Sequence, residues 1–143
     1  MADIVPNASK VYLFNGSVDL DTDSFYIMLT TGVFVPDIDT LAHRSDVTNE
    51  LPASGGYVAG GFALTGTGVT QDNLTNKAVF DANDWVQSLT FAAARYGIMY
   101  KRRGGLASAD EIVKVFDFGV DRAASGTFTI QFPAEGILVL EDR

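Results

Sequence analysis

The segment TFTIQF, residues 127–132, has the clearest strand pattern in the chain and decides the fold class. Its apolar residues Phe128, Ile130 and Phe132 fall on one face, because successive side chains of a β-strand point to opposite sides. The polar residues fall on the other face. A Pro-Ala-Glu-Gly turn at 133–136 follows, and the apolar run ILVL at 137–140 predicts a closing strand that is buried on both faces.

Strand patterns extend outward from this segment over most of the chain. Residues 88–101 include three consecutive alanines, which favour a helix, but the aromatic and β-branched residues that follow favour one long strand. One helical turn, capped by Ser45, is expected at 44–51. The other predicted strands are residues 10–15 (KVYLFN), 24–30 (SFYIMLT), 62–65, 68–73, 77–81 and 111–118 (EIVKVFDF).

The number and spacing of these segments predict an all-β protein. About eight to nine short strands separated by turn residues are typical of an antiparallel β-sandwich or a jelly-roll-like domain, with at most one short helical turn. The length of 143 residues fits a single domain, 1–143, which we expect to begin with a short N-terminal arm at 1–9.

The composition argues against catalysis. The chain has no cysteine and one histidine, which excludes disulfides, thiol catalysis and Cys-based zinc sites. A Ser-His-Asp triad would have to use His43, which lies in a polar stretch predicted to be a solvated loop. We therefore expect no enzyme activity, no cofactor and no metal. Residues 1–6 lack the pattern of a signal peptide, and no apolar run is long enough to span a membrane, so we expect no membrane association.

Acidic residues are concentrated near the start of the chain. Asp19, Asp21 and Asp23 have the D-x-D-x-D spacing that opens a calcium loop. An EF-hand would need glycine and glutamate where the chain has Ser24 and Thr30, so a polar hairpin turn is favoured and a different type of calcium site stays open. The carboxylate pairs Asp37/Asp39 and Asp81/Asp84 also lie in predicted turns, which disfavours a glycosidase-like acid–base pair.

Three segments are candidate partner contacts, and the N-terminal arm at 1–9 is the first of them. Val33, Phe34 and Val35 are apolar in a region that otherwise has the pattern of a loop, and folding back onto the core is the alternative. The basic cluster Lys101-Arg102-Arg103 precedes a Gly-Gly turn and is predicted to be a solvated turn or a protein contact. Residues 1–50 carry eight acidic and two basic residues, and such a surface repels the phosphates of nucleic acids.

The aromatic residues allow a further interpretation. Trp85 and the five tyrosines could stack against sugar or base rings. Because strand alternation surrounds most of them, packing in the core or in an interface is favoured. The glycine-rich segment 55–61 lacks the Lys-Ser/Thr ending of a phosphate-binding loop and predicts a flexible or bulged connection.

The order of sequence blocks along the chain resembles a family of small structural proteins of tailed-bacteriophage virions. The resemblance covers nearly the whole chain. It implies a non-enzymatic virion component, with no catalytic residues to carry over. The blocks are FNGSVDLDTDSFYIMLTT (14–31), PDIDT and DVTNEL (within 36–51), GGYVAGGFALTG (55–66), AVFDANDWVQSLTFAAARYGIMYK (78–101), and FDFG and GTFTIQFPAEGILVLE (within 116–141).

The expectation from this resemblance is a capsid decoration, or cement, protein that stabilises the phage head by protein–protein contacts. Its expected partners are the major capsid protein and copies of itself in a trimer, within a virion assembled in the host cytoplasm. A tail-, adaptor- or fibre-associated virion protein is the first alternative. A carbohydrate-binding module on the virion surface is the second.

Overall fold

A computed structural model describes residues 2–142 and shows a mostly β structure with two antiparallel sheets. One α-helix precedes the strands, and 3-10 turns occur at Arg44–Asp46 and Ala107–Ala109. In chain order the elements are α1 (Asn7–Asn15), β1 (Phe25–Thr30), β2 (Phe62–Ala63), β3 (Gly68–Asp72), β4 (Lys77–Asp81), β5 (Trp85–Lys101), β6 (Ile112–Ile130) and β7 (Leu138–Glu141).

The strands form one sheet of four and one of three. The larger sheet has the order β2-β1-β5-β6 and the smaller sheet the order β3-β4-β7, with every pairing antiparallel. This architecture confirms the predicted all-β, sandwich-like class. The predicted strands at 24–30, 77–81 and 88–101 correspond to β1, β4 and β5, although β5 begins earlier, at Trp85.

The buried apolar side chains form two clusters: one includes Phe25 of β1 and Phe80 of β4, and the other includes Met28 of β1 but no residue of the smaller sheet. The rings of Phe25 on β1 and Phe80 on β4 meet edge to face, with their centroids 5.6 Å apart. Trp85 is buried at the start of β5, and its indole Nε1 donates a hydrogen bond to the carbonyl oxygen of Phe62. Burial of such large side chains is the main favourable contribution to folding.

The predicted strand at residues 10–15 is wrong, because these residues belong to helix α1. Pro6 precedes the helix, and Gly16 ends it in the left-handed conformation, with φ of 81°. The Ser9 hydroxyl donates to the carbonyl oxygen of Ile112, which anchors the helix to the start of β6. Tertiary contacts of this kind outweigh the strand preference of the segment. A nine-residue helix also exceeds the single helical turn that the sequence predicted.

Strand β6 unites two segments predicted to be separate strands, 111–118 and 127–132. It pairs with β5 from Ile112 to Ile130, and the register shifts where Ala94 pairs with Arg122 but Tyr96 pairs with Asp117. The extra residues of β6 form a bulge there, so one strand continues through a glycine-containing stretch that resembles a turn.

The closing strand is also less buried than predicted. Ile137 is buried, whereas 68% of Leu140 is exposed, so residues 137–140 are not covered on both faces.

The described part of the predicted arm is attached to the sheet. Ile4 and Val115 exchange two backbone hydrogen bonds, and the Asp3 carboxylate accepts one from the backbone N–H of Asp117. Residues 2–6 thus cover the first part of the outer edge of β6, and the helix begins at Asn7.

Candidate interaction surfaces

The single histidine, His43, packs against Tyr12 of helix α1. The Tyr12 hydroxyl and His43 Nε2 lie 3.4 Å apart, and their ring centroids are 5.8 Å apart. Burial raises the pKa of Tyr12, with smaller contributions from the negative charges of Glu111 and Asp46. The Asp46 carboxylate accepts the backbone N–H of His43 and so closes the 3-10 turn. These contacts tie helix α1 to the loop that contains His43.

The carboxylates of the acidic loop accept hydrogen bonds within the loop itself. Asp19 accepts the Thr22 hydroxyl and the backbone N–H of Asp21, and the Thr22 bond is the main reason that its pKa is lowered. Asp23 accepts the backbone N–H of Asp19 and forms an ion pair with Lys101 at 2.8 Å. Within residues 2–142, no group of three or more histidine or acidic side chains is placed to share a metal ion.

Two of the three residues of the basic cluster at 101–103 form ion pairs within the chain. Lys101 pairs with Asp23 and also donates to the carbonyl oxygen of Ser17 at 2.8 Å. Arg103 forms two hydrogen bonds with Glu111, at 2.8 and 2.7 Å. Arg102 lies over the ring of Tyr26, with its guanidinium carbon 4.4 Å from the ring centroid. Because Lys101 and Arg103 are paired within the chain, Arg102 is the member of the cluster that is most available to a partner.

The apolar segment at 33–35 divides between core and surface. Phe34 is buried, and its ring meets Tyr96 edge to face at 6.1 Å. Val33 and Val35 are 72% and 75% exposed. The structure therefore places Phe34 in the core, as the alternative interpretation of this segment expected, and leaves the two valines at the surface.

The aromatic residues offer little surface to a sugar ring. Trp85 is 2% exposed, and Tyr57, Tyr96 and Tyr100 are also buried. Tyr26 is half-buried beneath Arg102. Packing in the core accounts for the four buried rings.

The sequence did not predict the apolar face on the smaller sheet. Val69, Ala78 and Leu140 are the apolar residues that line an open groove of about 780 Å³ on strands β3, β4 and β7, and the other residues that line it are polar or charged. The register explains their shared face, because Ala78 pairs with Leu140 and Val69 pairs with Phe80. Phe80 reaches the core, whereas the far end of the same face is uncovered. The apolar composition of residues 137–140 is the sequence signal for this face, but an apolar run predicts burial equally well.

Comparisons with known proteins do not identify a relative. No family model, no curated protein and no solved structure matches the chain. Among residues 2–142, no helix is long and apolar enough to cross a membrane.

Proposed function

We propose that this protein is a structural component of a tailed-phage virion, and specifically a capsid decoration protein that acts by protein–protein contact. The phage assignment rests on the ordered sequence blocks. The observation that carries the contact role is the uncovered apolar face of the smaller sheet, where Leu140 is 68% exposed beside the groove. Val69 and Leu140 are both exposed on this face, and neighbouring exposed apolar side chains are candidate contact sites.

The distribution of charge supports a role in binding rather than in catalysis. Arg44, Arg95 and Arg103 form ion pairs with buried or nearly buried carboxylates of the same chain. These groups are used to hold loops and strands together. The groove on the smaller sheet combines the aliphatic side chains of Val69, Ala78 and Leu140 with a larger number of polar and charged side chains, a mixture that is common at non-obligate protein–protein interfaces.

A decoration protein stabilises a shell because it binds the assembled state and not the free subunits. Such binding shifts the assembly equilibrium by mass action. A stable contact buries about 800 Å² on each partner. The exposed side chains of Leu74, at the tip of the β3–β4 hairpin, and Leu140, on β7, would contribute to it. We propose the major capsid protein as the partner, together with copies of this chain in a trimer.

Electron cryomicroscopy of the intact virion tests the proposal. Density for this domain at regular positions over the head is the expected result. Density confined to the tail would overturn the decoration role and favour the tail-associated alternative. Absence of the protein from purified virions would overturn the virion assignment itself.

A binding experiment tests the proposed surface. Purified protein is added to capsids that lack it, and the bound fraction is measured by sedimentation. We expect Leu140→Ser to lose binding, whereas Val86→Ser, at a 52% exposed position on the other sheet, should retain it. Equal binding by both variants would exclude the groove on the smaller sheet as the contact.

A further inference from the structure

Helix α1 ends at Asn15, which is followed by Gly16. Asn15 is the one asparagine in the chain that is followed by glycine. Its side chain is exposed, and Gly16 adopts the left-handed conformation with φ of 81°. Apart from Gly16 and the residues next to it in the chain, no heavy atom lies within 4 Å of the position that a Cβ of Gly16 would occupy. The backbone nitrogen of Gly16 therefore follows an exposed amide and is not shielded by a side chain of its own residue.

A hydrogen bond polarises the Asn15 side chain. The backbone N–H of Ser17 donates to Asn15 Oδ1 at 2.9 Å. A donor on this oxygen draws electrons from the amide carbon Cγ and stabilises the negative charge that develops on the oxygen when a nucleophile attacks. We propose that Asn15 is a site of spontaneous deamidation that converts it to aspartate and isoaspartate. This inference does not depend on the proposed virion role.

The chemistry requires only solvent water. The backbone nitrogen of Gly16 loses its proton to hydroxide and attacks Asn15 Cγ, forming a new C–N bond. The C–N bond of the side-chain amide breaks, and ammonia leaves with a proton from water. Water then opens the resulting succinimide ring at either carbonyl. One product is aspartate. The other is isoaspartate, in which the main chain runs through the side chain and gains a methylene group.

The conversion should affect contacts next to the pair. The backbone N–H of Val18 donates to the carbonyl oxygen of Tyr12 across the end of the helix. The Ser17 carbonyl oxygen accepts Lys101 Nζ at 2.8 Å. An extra methylene before Gly16 would displace both groups. The new carboxylate would also place negative charge at the negative end of the helix dipole.

Peptide mapping by mass spectrometry tests the proposal on the full-length folded protein. Samples are incubated at neutral and at mildly alkaline pH and digested. Each asparagine is then followed for the gain of one mass unit. We expect Asn15 to convert first, at a rate proportional to hydroxide concentration. Asn73 is the internal control, because it is exposed but followed by leucine. Conversion at Asn15 no faster than at Asn73, or no conversion at Asn15, would overturn the proposal.

Two variants separate the consequences of charge and backbone change. Asn15→Gln should stop the early conversion, because its longer side chain cyclises poorly. Asn15→Asp adds the charge without the extra methylene. We expect the isolated isoaspartate form to melt at a lower temperature than Asn15→Asp. Equal melting temperatures would show that the added methylene does not disturb the Ser17 and Val18 contacts.

Discussion

Arg44 and Asp110 are 66 positions apart in the chain, and the arginine Nε donates to the aspartate carboxylate at 2.8 Å. Asp110 is completely buried. Its other carboxylate oxygen accepts the backbone N–H of Arg103, and its carbonyl oxygen accepts the backbone N–H of Arg44. Asp110 thus joins the 3-10 turn at 44–46 to the connection between β5 and β6.

Replacement of Asp110 should therefore be costly. We expect Asp110→Ala to lower the free energy of unfolding by about 3 kcal/mol, because it leaves the Arg44 charge without its buried partner. Urea denaturation followed by circular dichroism measures the change. Asp21→Asn, at an exposed carboxylate, is the matched control and should stay within about 0.5 kcal/mol of the parent. A similar small change for Asp110→Ala would contradict the assigned role.

Gly61 lies close to the backbone of Ile27, and a comparison with Gly104 tests this contact. Both have positive φ, of 77° and 85°, but a Cβ on Gly61 would overlap the carbonyl oxygen of Ile27, whereas a Cβ on Gly104 would meet nothing within 4 Å. We expect Gly61→Ala to prevent folding, and Gly104→Ala to lower stability by only about 1–2 kcal/mol. Thermal melts of the two purified variants check this. Comparable melting temperatures would refute the close approach.

Stability should depend on pH through Glu111. The hydrogen bonds from Arg103 lower its pKa below the ordinary value of 4.5. Because the pKa is lower in the folded than in the unfolded state, the stabilisation is complete at neutral pH. It is lost as the pH falls below about 4.5 and through the folded-state pKa.

The variant Glu111→Gln isolates this contribution. It should be less stable than the parent at neutral pH but lose less stability between about pH 7 and pH 3, because that carboxylate no longer titrates. Urea denaturation at several pH values gives both curves. If the free energy of unfolding changes equally with pH in the parent and in Glu111→Gln, then Glu111 contributes nothing to the pH dependence.

The apolar segment at 33–35 should respond differently at adjacent positions. Phe34→Ala removes the buried ring that packs against Tyr96, and it should lower the free energy of unfolding by about 3 kcal/mol. Val35→Ala, at a position that is 75% exposed, should change it by less than about 0.5 kcal/mol. Chemical denaturation of the two variants provides the measurement. A large effect at Val35 would place its side chain in the core.

Thr30 offers a stabilising substitution. Its side-chain oxygen Oγ1 is buried and has no hydrogen-bond partner in the part of the chain that the structure describes. Thr30→Val should raise the free energy of unfolding by about 1 kcal/mol, because an unpaired polar group leaves the core. Tyr57→Phe is a control for which we expect the opposite change in stability. The Tyr57 hydroxyl donates to Glu50 at 2.6 Å and accepts the backbone N–H of Leu29, so its removal should destabilise. Destabilisation by Thr30→Val would mean that the hydroxyl is satisfied.

Strand alternation in the sequence was sufficient to predict the fold class, but not every element. Residues 24–30 and 77–81 formed strands as predicted, because their pattern and their final environment agree. Residues 10–15 have the same pattern but form a helix, since Ser9 is bonded to a strand over 100 positions later. Two local signals in the sequence agree with the helix: Pro6 precedes it and Gly16 follows it.

The surface was harder to predict than the core. Phe34 and Val35 are adjacent and both apolar, yet one is buried and the other exposed. In the basic cluster at 101–103, Lys101 pairs with Asp23, 78 positions earlier, and Arg103 pairs with Glu111, eight positions later. The contacts that decide such outcomes form only in three dimensions, and for this reason the apolar run at 137–140 does not by itself distinguish a buried strand from an exposed one.

The attachment of residues 2–6 to β6 sets an order for folding during synthesis. Asp3 contacts Asp117, 114 positions later, and Ser9 contacts Ile112, 103 positions later. Residues 2–9 leave the ribosome more than 100 positions before their partners in β6, so they must wait for that strand before they can dock. A high share of such distant contacts slows folding. The nascent chain should stay incompletely folded until β6 emerges, and its apolar strands are then most open to chaperones.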